Sequence, residues 1–491
     1  MSPDTPPTTA AHPAPLQAAD HPASEPSRSW SVLAVALVAQ VLVVLDISVV
    51  NTALPTIGSS LGLGGSDLQA LVTAYLIMSG GALLLGGRIA DLLDRRRVFL
   101  TGLTVFTVAS MLSAFATTGT ELTVTRALQG LSAALLTPAA LSIMMTTYSG
   151  AQRKRGLILW GAVGSLGVAA GVLVGGALTT WFGWQSIFII NGPIGAIAFV
   201  VAVIVVPKNP VTRTNLARFD LPGAVTLLGG LMTLMFALGG TQTQGWIAPR
   251  TLVSLTVSAL LLGAFAVIER RVAAPLIPAR TWRLTTLVSG TTVMLGITGI
   301  LVGTVFLTSI FVQTVLGFSA LAAGIGFLPF AFAITAGTQI TRHLLGLMSP
   351  RMLATTGLVV TGAAAAFLST AGAGAHYATN VLPGLLLLGV GVGLVFAPVS
   401  VSAMAGIPPQ HAGLASGFLM TGHEIGAALG VAVISAVAAS AGSLTSAEGV
   451  AAGFSPAFLA AAAIAAAMAV IAYRRMPAET AAAGAAGMHH H

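Results

Sequence analysis

The chain has 491 residues, 55% of them hydrophobic and 7% charged, with 13 Asp plus Glu, 21 Lys plus Arg and a formal charge of +8. So few charges cannot clothe a soluble body of this size, so most of its surface must face lipid. The basic residues fall in short clusters between apolar runs and not on one aromatic-laced face, which argues against nucleic acid as a partner. The absence of cysteine excludes disulfides, thiolate metal sites and cysteine nucleophiles.

Residues 1–28 are rich in Pro, Ala, Ser and Thr and have no basic cluster ahead of an apolar run, so they read as a disordered tail and not as a signal peptide. Windows of about nineteen residues then mark six apolar segments at 30–56, 68–86, 98–117, 121–146, 156–180 and 186–206. Two more, 221–240 and 251–268, carry no charge and read as spacers without a direct transport role. A second set of six follows at 287–315, 320–341, 352–372, 379–404, 412–437 and 455–473. Residues 474–491 form a tail ending in the tag-like "MHHH". Period-two alternation is absent, which excludes a β-barrel. The expectation is an all-α integral membrane protein of fourteen transmembrane helices.

The loops set its orientation. "DRRR", "QRKR", "KNPVTRTNLAR", "ERRVAAPLIPARTWR", "TRHLLGLMSPR" and "YRR" alternate along the chain with links in which Arg250 is the one Lys or Arg. By the positive-inside rule the basic set and both termini are cytoplasmic, in the cell membrane. "RRVFLTGLTVFTVASMLSAFA" from Arg96 has an echo in "SPRMLATTGLVVTGAAAAFLS" from Ser349, about 254 residues later. A parallel repeat of two six-helix bundles around a midplane site is a transporter architecture. It divides the chain into a tail 1–28, a bundle 29–207, cytoplasmic links with two extra helices 208–286, a bundle 287–473 and a tail 474–491.

The densest charge lies in "GGRIADLLDRRR", between segments two and three. Arg95, Arg96 and Arg97 satisfy the topological rule alone; Gly87 and Asp91 ask for more. Glycine permits close helix approach, and a carboxylate at the membrane surface seeks an Arg or a helix N-terminus. The loop, with Arg88, therefore reads as an anchor plus a gate, Asp91 being the gating element.

"GRIADLLDRRRVFLTG" resembles the loop signature of the major facilitator superfamily, and "LDISVVNTALP" (Leu45 to Pro55) resembles a signature of its fourteen-helix drug:proton antiporters. "RALQG" (Arg126 to Gly130), "GSLGVAAGVLVGG" (Gly164 to Gly176), "ERRVAAPLIP" and "GLASGFLMTGHEIGAALGVAV" are also similar to elements of that family, and together they span nearly the whole chain between its tails. Two positions depart from it: Asp94 stands where the loop usually has glycine, and Val172 where the fifth helix usually has proline. Gly164, Gly167, Gly171, Gly175 and Gly176 keep a stripe for tight helix packing. The resemblance implies that Asp91 faces the start of helix 13, "PPQHAGLASG", where backbone N–H groups are free.

Ionisable groups inside lipid are costly and point to function. At about 1.5 Å per residue, Asp46 lies roughly 20 Å from the basic side of a core about 30 Å thick, and Glu424 roughly 18 Å. Arg126 lies roughly 8 Å inside the opposite edge. The three sit near one level and suggest a shared aqueous cavity. Burial favours the neutral acid of Asp46 and a nearby Arg126 favours the carboxylate, so the two compete over a proton; a structural ion pair is the alternative. Glu424 has no evident cation, since His423 is expected to point elsewhere on the helix. Gln129, Tyr75 and Thr73 are candidate cavity residues, and Trp181, Trp184 and Trp246 read as an outer aromatic belt.

No G-x-x-x-x-G-K-[ST] motif, nucleophile–base set or metal cluster appears, so neither ATP coupling nor an enzyme is expected. No cofactor or metal is expected beyond a proton gradient. The resemblance implies a monomeric exporter of amphipathic drugs, antibiotics or lipophilic cations in exchange for protons. A dedicated exporter of one endogenous metabolite and a proton-coupled importer are the alternatives.

Overall fold

The computed structural model describes residues 30–208, 220–272, 275–277, 281, 283–345, 347–405, 407 and 412–477. The two tails beyond them, and the loop entering helix 13 at 408–411, lie outside the described residues. Among those described there is no strand. The helices are α1 (Ser31–Leu61), α2 (Gly65–Leu92), α3 (Arg95–Ala114), α4 (Gly119–Thr147), α5 (Gly150–Phe182), α6 (Ser186–Val205) and α7 (Leu221–Gln244). They continue with α8 (Pro249–Arg271), α9 (Thr285–Thr314), α10 (Ala320–Leu344), α11 (Pro350–Leu368), α12 (Tyr377–Met404), α13 (Ala412–Ala441) and α14 (Ala447–Arg475). Thirteen are long and apolar enough to cross a membrane, and α5 adds an apolar stretch, Ala170–Phe182.

Hydropathy marks apolar interiors but misses polar first turns, which side chains define. Asp94 accepts from the Arg96 N–H at the start of α3, and Ser349 does the same for Met352 at the start of α11. The residue that departs from the family loop is thus a helix cap. Ser446 caps α14 through the Gly449 N–H, so that helix begins well before the expected 455 and runs through Pro456. In α1 the helix passes Pro55 to end at Leu61. Pro55 lacks the N–H that the Asn51 carbonyl would accept, and the Ser309 hydroxyl of α9 donates to that carbonyl instead at 2.8 Å.

The packing repeats along the chain. The pairs α1–α5, α2–α4, α3–α4, α3–α6 and α1–α6 recur as α9–α13, α10–α12, α11–α12, α11–α14 and α9–α14. Glycines set the closest of these contacts. An ideal Cβ on Gly167, Gly171 or Gly175 of α5 would lie 2.8, 2.6 and 2.6 Å from Val44, Ser48 and Val49 of α1. In the equivalent pair, a Cβ on Gly430 of α13 would lie 2.0 Å from the Gly299 carbonyl oxygen of α9. Gly176 turns the other way, its Cβ direction meeting the Ala320 carbonyl at 2.6 Å. Gly164 is helical, but its surroundings lie outside the described residues.

The six-helix sets meet along α2–α13 and α5–α10, two interfaces related by the same repeat. First turns bearing Arg95 to Arg97, Arg153 and Arg351 define a basic end of the molecule; among the described residues the opposite end has Arg250 as its one Lys or Arg, with Asp67, Glu121 and Glu448. At that opposite end Ser435 of α13 donates to Gln69 of α2 at 2.7 Å, and the Leu321 N–H of α10 donates to Thr180 of α5 at 3.1 Å. Helix α8 packs on α7, while α7 touches both α2 and α13. The pair expected to be mere spacers therefore covers a seam between the two sets. Trp181 and Trp246 are exposed as belt residues would be, but Trp184 is buried, with its indole N–H donating to Ser60 at 3.1 Å.

Candidate functional site

Asp46 lies at the middle of α1, fully buried, and Arg126 on α4 is 2% exposed. Arg126 Nη1 donates to Asp46 Oδ2. The same nitrogen donates to Gln129 Oε1 at 3.1 Å, one turn along α4. A guanidinium only donates, so this contact fixes the orientation of the Gln129 amide. Its Nε2 then donates to Asp46 Oδ1 at 3.0 Å. From α6, Asn191 Nδ2 reaches the same Oδ1 at 3.2 Å and Ser110 Oγ of α3 at 2.9 Å. Among the described residues every partner of Asp46 is a donor, which fits a carboxylate.

Tyr75 of α2 lies across the guanidinium, with Arg126 Cζ 4.3 Å from the ring centroid. A cation over a ring face is held without hydrogen-bond geometry and can slide from it. Close helix approach permits the stack: a Cβ on Gly130 of α4 would fall 2.2 Å from the Tyr75 carbonyl oxygen. About 7.5 Å further along α2, a Cβ on Gly80 would fall 2.3 Å from Cβ of Glu424. Helix α2 thus touches Arg126 in one six-helix set and Glu424 in the other. Arg126 Nε, Tyr75 Oη and Glu424 Oε2 are buried without a hydrogen-bond partner among the described residues. Buried polar atoms are seldom left so, and these three belong to α4, α2 and α13.

His423 does not point away from Glu424 as expected. Its Nδ1 lies 3.4 Å from Glu424 Oε1, without hydrogen-bond alignment, and its ring centroid is 5.9 Å from that of Phe396 on α12. Thr73 is buried and donates to the Gln69 carbonyl of its own helix at 2.9 Å, so its hydroxyl is already satisfied.

In the charged loop, Arg88 donates to the Pro275 carbonyl at 2.9 Å, tying α2 to the link after α8. Arg96 reaches the Val203 carbonyl of α6, while Arg97 is exposed and lies 3.7 Å from Asp94. Arg95 opens α3 as its first residue. The close approach expected at Gly87 belongs to Gly86. A Cβ on Gly86 would sit 2.0 Å from the Ala134 carbonyl oxygen, whereas one on Gly87 finds its nearest atom at 3.9 Å. Pro138 removes the N–H that Ala134 would otherwise accept, leaving an open carbonyl against which α2 packs. Asp91 is on α2, but its side chain lies outside the described residues.

Asn191 and Ser110 escaped the reading of charged groups. The available signal was a single Asn in the otherwise apolar stretch Ser186–Val205, since an amide inside lipid needs partners as a charge does.

A sequence profile described as Major Facilitator Superfamily matches residues 36–431. A puromycin resistance protein of Streptomyces alboniger is 36% identical over 437 residues, 87% of this chain and 85% of that protein. A cephamycin export protein of Amycolatopsis lactamdurans is 35% identical over 451 residues, 91% of this chain and 93% of its own. A multidrug resistance protein of Mycobacterium tuberculosis is 31% identical over 401 residues, 81% and 74% of the two chains. Among solved structures, a bacterial homolog of the human lysosomal transporter Spinster, in an inward-facing and occupied conformation, superposes with a TM-score of 0.65 at 15% identity. It covers 92% of this chain and 98% of its own.

Proposed function

The chain belongs to the major facilitator superfamily, and we propose that it exports amphipathic drugs or antibiotics across the cytoplasmic membrane in exchange for protons, as a monomer. Export is supported by relatives named for antibiotic resistance, multidrug resistance and antibiotic export. The observation that carries proton coupling is the buried Asp46–Arg126 pair, whose arginine also rests on Tyr75.

A proton and Arg126 compete for Oδ2 of Asp46. Protonation removes the charge that retains the guanidinium, and loss of the proton draws it back. With the basic loops and both termini in the cytoplasm, the opposite end, closed by Gln69–Ser435 and Thr180–Leu321, is the outer gate. The polar atoms around Arg126, Tyr75 and Glu424 are then approached from the cytoplasm. Residues 29–207 and 287–473 act as the two moving bundles, with 208–286 linking them between the tails 1–28 and 474–491. Asp46, Arg126 and Glu424 carry the coupling, Gln129 and Tyr75 line the site, and Asp91 with its basic neighbours latches the cytoplasmic side.

A second reading, export of one metabolite only, is favoured by the relative named for cephamycin export. Inside-out vesicles challenged with a panel of dyes and antibiotics test both. Proton release on adding several unrelated compounds is the expected result, and release by a single compound supports the dedicated exporter. Gradient-driven uptake into right-side-out cells without release from the vesicles overturns export.

A further inference from the structure

Asp46 has two oxygens in different company. Among the described residues Oδ2 faces Arg126 alone, whereas Oδ1 accepts from two neutral amides, Gln129 and Asn191. Asn191 is held to that task. Its amide nitrogen has two hydrogens: one goes to Asp46 and the other to Ser110, whose own hydrogen goes to the Phe188 carbonyl at 3.1 Å. The backbone beneath it is equally fixed. Helix α6 is interrupted at Ile190, and Pro193 offers no N–H to the Ile189 carbonyl. On either side of Pro193, α6 presses on α3 so closely that a Cβ on Gly192 would fall 2.5 Å from Met111 and one on Gly195 2.0 Å from Thr107.

We propose that Asn191, with Gln129, assigns the Asp46 proton to Oδ2 and so obliges every protonation to displace Arg126. An amide that donates to a carboxyl oxygen stabilises it as a carboxylate or as the carbonyl of the neutral acid, but opposes it as a hydroxyl. With two such donors on Oδ1, the proton goes to Oδ2. There it removes the charge and most of the acceptor strength that hold the Arg126 Nη1–H, and the guanidinium is released. Without Asn191 the proton has a second place to go, and the acid can form while Arg126 stays. Asn191 is therefore a positioning residue that makes proton uptake and Arg126 movement one event. Arg126 from α4 and Tyr75 from α2 are the titratable groups at Asp46. Helices α6 and α9 contain none, and the charged residues of α5 and α10 lie at their basic ends.

The inference rests on Asp46 carrying the transported proton, so its test is separated from transport. The infrared carbonyl band of the protonated Asp46 side chain, assigned by its absence in Asp46→Asn, is titrated in the full-length protein in lipid. Asn191→Ala removes a donor to the charged form and should move the midpoint up by about one pH unit, the size expected for one charge-assisted hydrogen bond. Asn191→Gln should restore part of that shift. Ser110→Ala, which only loosens the amide, should move it a smaller amount in the same direction and decides the matter if Asn191→Ala does not accumulate. In proteoliposomes the Asn191→Ala protein should release fewer protons per substrate exported, by about half or more, since proton binding no longer forces the arginine away. Unchanged midpoints in both alanine variants, with an unchanged proton-to-substrate ratio, would make Asn191 a packing residue and overturn the proposal. An Asp46→Asn protein that still pumps overturns the coupling reading itself, whatever the band shows.

Discussion

At Asp46 an acceptor is replaced by a mixed group when the residue is changed to Asn. Asp46→Asn should end gradient-driven efflux while leaving substrate binding measurable, because the amide resembles the protonated acid and never releases Arg126's competitor. Binding of a fluorescent substrate together with efflux from loaded vesicles checks this, and efflux at the wild-type rate would remove Asp46 from the mechanism. Glu424 belongs to another kind of site. Its Oε2 is buried and without a partner among the described residues, His423 stands 3.4 Å from its other oxygen, and Phe396 lies beside that imidazole. A carboxylate near an aromatic ring suits a lipophilic cation. Glu424→Gln should lose export of a cationic dye by tenfold or more, taking roughly one lost buried charge contact as about 1.4 kcal/mol, and should keep a neutral compound. Paired export assays on one preparation separate these outcomes: equal loss of both substrates would make Glu424 a coupling or structural residue. The sequence made both acids conspicuous because charge is rare in this chain. Asn191 had the quieter signal of one uncharged amide in an apolar stretch, and its role depends on the third dimension bringing α6 against α1.

Between elements, small residues decide how near two helices come. Gly86→Val would drive a side chain into the Ala134 carbonyl and should destabilise the α2–α4 contact by about 1–3 kcal/mol. Gly87→Ala has room and should leave stability unchanged or raise it by up to about 1 kcal/mol through lower helix-unfolding entropy. Thermal denaturation of the two variants in detergent distinguishes these neighbours, and equal effects would refute the assignment of the contact to Gly86. The adjacent letters "GG" are indistinguishable in the sequence. Only the rotation of α2 about its axis, set by Tyr75 against Gly130 and Gly80 against Glu424, selects which one meets α4. Helix starts show the same division. Asp94 was conspicuous as a departure from a family loop, yet its hydrogen bond to Arg96 is what gives the departure a purpose.

For the molecule as a whole, the lack of cysteine makes the alternating-access scheme directly testable. Gln69 and Ser435 touch across α2–α13 at the end opposite the basic one. A Gln69→Cys/Ser435→Cys protein should lose export once cross-linked by a short bismaleimide, while the same protein left untreated keeps it. Full export by a quantitatively cross-linked protein would show that this end never opens. At the other end, Asp91→Asn should keep expression and topology and lower turnover several-fold with little change in substrate affinity. Normal turnover in a well-expressed variant would end its role as a latch.

Composition by itself determined the solvent of this protein, because a chain with 7% charged residues has no means of facing water over most of its surface. Fourteen apolar segments, with basic loops alternating along the chain, followed from that same scarcity. So did the notice given to Asp46, Arg126 and Glu424, since each is expensive where it stands. Tertiary structure alone decided their company. It joined Arg126, Gln129 and Asn191 to the two oxygens of Asp46, turned His423 toward Glu424, and laid α7 across the α2–α13 seam. The physical reason is that hydropathy sums along one chain, whereas hydrogen bonds and close contacts depend on the rotation and depth of each helix. Those are fixed jointly by glycines, by prolines that leave carbonyls open, and by polar groups on other helices that fill them.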